Sequence, residues 1–220
     1  MPNTGLDAAA GRFAGVDLVA LAEREGTPLY VYSAGAIRTR LHALRDALDG
    51  LDAGICYAVK ANSNVAILQL IADEGAGADI VSGGELKRAL AAGIPADRIV
   101  FSGVGKTEAE IALAMEVGIA RFNVESRAEL DALQRIAAAT RRIASASVRI
   151  NPDVDARTHA KISTGKAENK FGVSIAEACG CTRSGHSGSN IHSALPQPVQ
   201  KCRRPELRRQ PPASSRIFAL

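Results

Sequence analysis

Lys60 follows an apolar run and is the side chain best placed for chemistry in this sequence. The run Ile55-Cys-Tyr-Ala-Val59 predicts a strand, and alternation along it puts Cys56 and Ala58 on the same face as Lys60. A lysine amine that is removed from water has a lowered pKa, and the neutral amine forms a Schiff base with an aldehyde. A solvated lysine at the end of a strand is the commoner arrangement, so position alone leaves both interpretations open.

Strands and helices alternate from about residue 54 to residue 151, and Lys60 belongs to the first strand of this repeat. The predicted strands are Ile55–Val59, Ala78–Val81, Arg98–Phe101, Arg121–Val124 and Ser147–Ile150. Their spacing leaves room for a crossover helix after each strand and therefore predicts parallel pairing. In a barrel of such units, the carboxyl ends of the strands carry the chemistry.

The helix boundaries of the repeat are marked in the sequence. Ser82, Thr107 and Ser126 each begin an S/T-x-x-E segment directly after a predicted strand, which predicts a capping box at each helix start. Gly93 and Gly118 lie where helices should end. The repeat lacks a dinucleotide-binding glycine pattern. It therefore favours an α/β fold that is a partial (β/α)8 TIM-type barrel, with about five βα units visible.

Two segments flank the barrel units, which occupy residues 54–178. Residues 1–53 are expected to contain a leading helix and an isolated strand, Pro28-Leu-Tyr-Val-Tyr32. Residues 179–220 lose the apolar periodicity, and we expect this tail to be disordered. Its composition is also typical of a gene translated in a shifted frame.

Charge and cysteine content exclude several classes of protein. The tail carries seven Lys/Arg and one Glu, a net charge of +6, whereas residues 1–178 carry a net charge of −2, so a nucleic-acid-binding surface on the barrel is not expected. No apolar run is long enough to span a membrane, and a secretory signal is not expected. The four cysteines lack the spacing of disulfides or of a metal site, so we expect no metal and a cytoplasmic location.

Several short segments of the sequence together resemble one enzyme family, the diaminopimelate decarboxylases, in order and nearly in spacing. The resemblance covers residues 10–178 and is carried by Thr27–Ser33, Tyr57–Asn62, Ala78–Leu86, Phe101–Thr107, Asn123–Ser126, Arg149–Pro152, Ile162–Gly165 and Lys170–Gly172. Alanine racemases and ornithine and arginine decarboxylases share the fold of these enzymes. The segments distinguish this sequence sharply from alanine racemases and less sharply from ornithine and arginine decarboxylases.

The resemblance implies a cofactor, a reaction and site residues. Lys60 matches the lysine that binds pyridoxal 5′-phosphate, and Asp79 and Arg149 are expected to lie near that cofactor. The alternatives are a strand-end carboxylate paired with a base for Asp79 and a barrel-lining ion pair for Arg149. Glu85 is shared with the family, but its place in a capping box accounts for it. The implied reaction is decarboxylation of meso-2,6-diaminopimelate, a small amino acid, to L-lysine in lysine biosynthesis by a homodimer.

Other motif matches are rejected. His186-Ser-Gly-Ser189 spells a family segment but follows Gly172 too closely, and Gly105-Lys106-Thr107 lacks the earlier glycine of a phosphate-binding P-loop. Complete family members continue for about as long again, so we expect this chain by itself to be inactive. A non-catalytic single-barrel protein that binds the cofactor, or an inert frameshift product, remains the alternative.

Overall fold

The computed structural model describes residues 6–151, 172–174, 191–193 and 216–219. The chain divides into two compact units, residues 1–51 and 52–220. The segments 162–165 and 186–189, which enter the sequence comparison above, lie outside the described residues. None of the described helices has the length and apolar character needed to cross a bilayer.

The first unit combines three short antiparallel strands with two helices. The strands are β1 Leu6–Asp7, β2 Arg12–Phe13 and β3 Val16–Asp17, and the helices are α1 Leu18–Glu25 and α2 Ala34–Ala47. Asp17 caps α1 by accepting hydrogen bonds from two backbone N–H groups, and Ser33 caps α2 by accepting one. These side chains satisfy N–H groups that a helix start leaves without an intrahelical partner.

The strand expected at 28–32 is not found. The segment Pro28–Tyr32 connects α1 to α2 and pairs with no other strand among the described residues. Tyr30 and Tyr32 are 84% and 55% exposed. The aromatic and β-branched content of this run favours a strand, but a strand also requires a partner for its backbone hydrogen bonds.

The second unit is a parallel sheet covered by helices, which confirms the α/β prediction. Its central strands are β4 Ala53–Ala58, β5 Gly77–Ile80, β6 Ile99–Phe101, β7 Arg121–Val124 and β8 Ala144–Val148. Each pairs in parallel with the next. The connecting helices are α3 Val65–Asp73, α4 Gly83–Ala91, α5 Glu108–Val117 and α6 Arg127–Thr140. These four helices lie between the five consecutive parallel strands, as in four βα units of a barrel followed by the strand of a fifth.

Four further short strands follow β8. β9 Ile150–Asn151 pairs with β10 Val173–Ser174. β11 Ile191–Ser193 pairs with β8, and β12 Arg216–Ala219 pairs with β4, both in parallel. These seven residues are the part of the segment 179–220 that the structure describes, and the disorder predicted for the rest of the segment lies outside the described residues. The seven residues form strands because the edges of a sheet present unpaired backbone groups, which an extended segment can satisfy whatever its side chains are.

Alternation divides the sheet into an apolar face and a polar face. The apolar face packs against the helices and includes Phe101 and Phe122, whose rings stack with centroids 6.2 Å apart. The opposite face carries mainly small and polar side chains, namely Cys56, Ala58, Asp79, Val100, Arg121, Asn123, Ser145 and Ser147. We call this second set the inner face, because it corresponds to the barrel interior.

Hydroxyl caps begin three of the helices described in the second unit. Ser82, Thr107 and Ser126 each accept a hydrogen bond from the backbone N–H three residues later. At Thr107 the glutamate completes the predicted capping box. The Glu85 carboxylate accepts a hydrogen bond from the backbone N–H of Val81 at 2.7 Å, and the Glu129 carboxylate accepts one from that of Glu125 at 3.1 Å. In both cases the donor is the residue before the capping serine. Two of the three predicted boxes are therefore a variant in which the glutamate ties the strand end to the helix start.

Candidate functional site

Lys60 lies just beyond the end of β4, in a single helical turn, Val59–Ala61. Val59 is fully buried under the helices, whereas Lys60 is exposed. The strand ends at Ala58, so Lys60 is presented by the turn and not by the strand itself. The described residues do not supply the desolvation that the sequence analysis expects for this amine.

Asp79 is a partly buried carboxylate on the inner face, in the strand next to that of Lys60. Burial raises its pKa above the ordinary value of 3.8, because the charged form loses water. The hydroxyl of Ser102 donates to Asp79 Oδ1 and lowers the pKa, and the positive charges of Lys60, Arg149 and Lys106 lower it further. The net shift is upward, so burial outweighs the partners.

A chain of hydrogen bonds fixes the orientation of the Asp79 carboxylate. Asn123 Nδ2 donates to Ser102 Oγ at 2.9 Å, and Ser102 in turn donates to Asp79 Oδ1. The three side chains come from β7, the residue after β6 and β5, so the chain crosses neighbouring strands. A hydroxyl that accepts from one neighbour has its proton directed towards the other.

Three buried polar atoms of the inner face have no hydrogen-bond partner among the described residues. They are Arg121 Nε, Asn123 Oδ1 and Ser147 Oγ. Asn123 and Ser147 are neighbours in the register of β7 and β8. Buried polar atoms are normally paired, so this part of the inner face has the capacity to bind a further polar group.

Arg149 follows β8 and forms an ion pair. Its Nη1 lies 3.1 and 3.3 Å from the two carboxylate oxygens of Glu125. The Glu125 side chain is 1% exposed and the Arg149 side chain 42% exposed. The ion pair that the sequence analysis kept as an alternative for Arg149 is therefore present. The cofactor-proximal role of Arg149 stays a prediction.

Lys106 is buried beside the same strands. Its ammonium lies 5.4 Å from the centre of the Phe101 ring and pairs with Glu129 Oε1 at 2.6 Å. It also donates to the backbone oxygens of Gly103 and Asn123 at 2.7 and 2.9 Å. The lysine of the P-loop-like segment thus joins two loops at the carboxyl edge of the sheet.

Two further candidates have structural explanations. The Glu85 carboxylate accepts a hydrogen bond from the backbone of Val81, as expected for a residue that stabilises the start of α4. The Cys56 thiol lies 3.7 Å from the backbone oxygen of Arg98. Burial raises the pKa of this thiol to about 12, and the Asp79 charge adds to the effect. The thiol therefore stays protonated and packs as a small apolar group.

The structure brings Lys60, Asp79 and Arg149 to one edge of the sheet, and it adds residues that sequence reasoning missed. These are Ser102, Lys106, Asn123, Glu125 and Glu129. Most of these residues could have been found as polar residues that follow an apolar strand. Such a pattern predicts the edge of the sheet on which a side chain lies but not the residue with which it forms a hydrogen bond.

Residues 34–192 match the pyridoxal binding domain of the pyridoxal-dependent decarboxylases. The chain belongs to this family. The prediction of pyridoxal phosphate as the cofactor and of a carboxy-lyase as the enzyme class is therefore confirmed at the level of the family.

Among proteins of known function, the chain is similar to diaminopimelate decarboxylases. It is 56% identical to that of Pseudomonas fluorescens over 165 residues, which cover 74% of this chain and 40% of that protein. It is 55% identical to that of Aquifex aeolicus over 164 residues, covering 74% of this chain and 39% of that protein. The chain thus spans about 40% of the length of the curated relatives it matches.

A solved structure shows the same architecture. Diaminopimelate decarboxylase from Helicobacter pylori, in complex with L-lysine, superposes with a TM-score of 0.78 at 43% identity. The superposition covers 80% of this chain and 45% of that one. The five parallel strands of this chain are therefore part of the barrel that the sequence predicts.

The residues present fit the cofactor of the family. Pyridoxal phosphate carries an aldehyde, which an exposed amine at the edge of the sheet can reach, and a phosphate, which requires positive charge. Lys60 is such an amine, and Arg149, whose side chain is 42% exposed, adds a positive charge at the same edge of the sheet. The unpartnered polar atoms of the inner face provide further hydrogen-bonding capacity.

Proposed function

We propose that this chain forms the cofactor-binding part of a diaminopimelate decarboxylase, which converts meso-2,6-diaminopimelate to L-lysine in lysine biosynthesis. The observation that carries the proposal is the cluster of Lys60, Asp79 and Arg149 at the carboxyl edge of one parallel sheet. The relatives that are 49–56% identical to the chain are all diaminopimelate decarboxylases, which supports the proposal. L-Lysine, found in the Helicobacter pylori complex, is the product of the proposed reaction.

Lys60 is the residue proposed to hold the cofactor covalently. Bound pyridoxal phosphate supplies an aldehyde for that bond and an electron-accepting ring for loss of the substrate carboxylate. The Lys60 amine must give up a proton before it can attack a carbonyl carbon. The turn Val59–Ala61 orients the amine, because the buried Val59 side chain anchors the turn while Lys60 extends from it.

Asp79 and Arg149 are proposed to lie beside the cofactor with opposite charges. Ser102 and Asn123 hold the Asp79 carboxylate in one orientation, so that its remaining lone pairs face a defined direction. Arg149 brings a positive charge to the same edge of the sheet. A fixed carboxylate and a fixed guanidinium can bind opposite ends of one polar ligand, with little reorganisation on binding.

The proposed assembly is a homodimer that acts on a small amino acid. This part of the proposal comes from the resemblance to the family. The amino-acid substrate is also consistent with the lysine complex of the Helicobacter pylori relative.

Borohydride reduction tests the role of Lys60. The purified chain is mixed with pyridoxal phosphate, reduced and digested, and the labelled peptide is identified by mass spectrometry. We expect the label on Lys60 and its loss in Lys60→Ala. Lys87→Ala, at an exposed lysine of α4, is the matched control and should keep the label on Lys60. A label distributed evenly over the exposed lysines would contradict an organised site.

Release of labelled carbon dioxide from carboxyl-labelled meso-diaminopimelate tests the activity of these 220 residues. We expect no measurable release from the chain by itself, since the matched segment spans about 40% of the relatives and the activity is proposed for a whole protein of this family. The Pseudomonas fluorescens relative is the positive control. Turnover by the chain that disappears in Lys60→Ala would contradict the expectation.

A further inference from the structure

The Glu125 carboxylate is buried and has two kinds of partner. It accepts from the backbone N–H of Gly103 at 2.9 Å, through Oε1. It also pairs with Nη1 of Arg149, which lies 3.1 Å from Oε1 and 3.3 Å from Oε2. One partner is a loop amide, and the other is the cation proposed to lie beside the cofactor.

A closed ring of interactions fixes Glu125 in turn. Its backbone N–H donates to Glu129 Oε2 at 3.1 Å, and Glu129 Oε1 pairs with Lys106 Nζ at 2.6 Å. Lys106 donates to the backbone oxygen of Gly103, whose own N–H returns to Glu125. Because the ring joins the β6–α5 loop to the start of α6, the carboxylate of Glu125 has little freedom to move.

Stability alone does not explain a carboxylate in this place. Removing a charge from water costs free energy that an ion pair roughly offsets, so a buried pair contributes little net stability. Here the burial is also one-sided, with the Glu125 side chain 1% exposed and the Arg149 side chain 42% exposed. A fixed buried anion beneath a partly exposed guanidinium is the arrangement expected where the guanidinium must be held in one position to contact a ligand.

We propose that Glu125 is the positioning residue of Arg149, and that it holds the guanidinium at the carboxyl edge of the sheet for contact with the cofactor. This inference rests on the proposed function, in which Arg149 lies beside pyridoxal phosphate. Glu125 acts through Arg149 and does not itself touch the cofactor.

A double-mutant cycle tests this coupling. The affinity of the full chain for pyridoxal phosphate is measured by absorbance titration for the unaltered chain, Glu125→Gln, Arg149→Gln and the double variant. Glutamine keeps an acceptor for the Gly103 N–H but lacks the charge that pairs with Arg149. We expect Glu125→Gln to weaken binding about tenfold in the unaltered background and at most about twofold in the Arg149→Gln background.

The control is Glu110→Gln, at a carboxylate that caps α5 and accepts hydrogen bonds from the backbone N–H groups of Gly83 and Thr107. It should leave the affinity unchanged. Equal weakening by Glu125→Gln in both backgrounds would overturn the inference, because Glu125 would then act on the fold and not through Arg149.

If Glu125→Gln loses the circular-dichroism spectrum of the unaltered chain, Glu125→Asp replaces it. Aspartate keeps the charge but is one methylene shorter, and the same pattern is expected.

A second measurement does not depend on the cofactor. Phenylglyoxal modifies exposed arginines, and peptide mass spectrometry gives the rate at Arg149. We expect this rate to rise several-fold in Glu125→Gln and to stay unchanged in Glu110→Gln. A rate that does not respond to Glu125→Gln would overturn the inference even if Lys60 binds the cofactor. A rate that rises in a chain without affinity for pyridoxal phosphate would refute the proposed function and leave the anchoring of Arg149 by Glu125 intact.

Discussion

Asp79 shows how single neighbours set the protonation of a site residue. Burial raises its pKa, whereas the Ser102 hydroxyl and three cations oppose the rise. A group whose pKa is higher in the folded chain than in the unfolded chain stabilises the fold at low pH. This contribution is present below the ordinary value of 3.8 and is lost as the pH rises through the folded-state pKa. Keeping Asp79 in the carboxylate form, which the proposed function requires, therefore costs stability. The Ser102 hydroxyl and the neighbouring cations reduce that cost.

Replacement of Ser102 by alanine should raise the pKa of Asp79 further. The variant removes the hydrogen bond that lowers this pKa and leaves a buried acceptor without its donor. We expect a loss of about 1–3 kcal/mol in the free energy of unfolding at neutral pH. Carbon-13 NMR titration of the aspartate carboxyl groups measures the pKa. Ser147→Ala is the control, because the Ser147 hydroxyl has no described partner. An unchanged Asp79 pKa in Ser102→Ala would contradict the role given to this hydroxyl.

At the scale of helices and strands, glutamates connect neighbouring βα units. Glu110 closes the capping box at Thr107 and also accepts from the backbone N–H of Gly83 at 2.7 Å, which ties α5 to the start of α4. These hydrogen bonds, led by that from Gly83, lower the pKa of Glu110. A lowered pKa gives stability that is present above the ordinary value and is lost as the pH falls through the folded-state pKa.

Glu110→Ala should therefore destabilise the chain in a pH-dependent way. At neutral pH we expect a loss of about 1 kcal/mol, as for removal of a helix cap. The difference from the unaltered chain should shrink as the pH falls below the ordinary value of 4.5, because Glu110 of the unaltered chain becomes protonated as well. Urea unfolding at several pH values measures this. Glu116→Ala, at an exposed position of the same helix, should show no such trend, and an equal trend there would refute the explanation.

Local sequence signals predicted the central sheet well and its contacts poorly. The strand predicted at Arg121–Val124 is found with the same bounds. β8 begins at Ala144 and not at Ser147, because small residues carry little strand signal of their own. At 28–32 the same signal predicted a strand that has no partner. Strand formation depends on pairing, which local periodicity does not report.

The candidate site follows the same rule. Lys60, Asp79 and Arg149 were identified from motifs around them, and the structure brings these three together. The links of Ser102 to Asp79 and of Glu125 to Arg149 join residues 23 and 24 positions apart in the chain. Such contacts depend on the register between neighbouring parallel strands. Residue type and spacing along one strand predict which face a side chain occupies but not which residue of the next strand lies beside it.

At the scale of the whole sheet, the two outermost positions are held by short segments from the region 179–220. β12 pairs with β4, and β11 pairs with β8. Without these segments, the outer edges of β4 and β8 would present unpaired backbone groups, which favour association with other chains. The segments thus protect β4 and β8, the strands that precede Lys60 and Arg149, from irregular pairing.

Proline substitutions in β12 test this protection, and they leave the charge of the segment unchanged. Adjacent residues of a strand direct their N–H groups to opposite sides, so either Ile217→Pro or Phe218→Pro must remove a donor that faces β4. Hydrogen exchange followed by mass spectrometry reports on the amides of β4, Ala53–Ala58, and light scattering reports on association. We expect faster exchange in β4 and more association for one of the two variants, with the amides of β6, in the middle of the sheet, unaffected. The contrary outcome is that the β4 amides exchange at the same rate in both variants as in the unaltered chain. That result would mean that β12 is disordered, as the composition of its region predicts, and that the outer edge of β4 is already open.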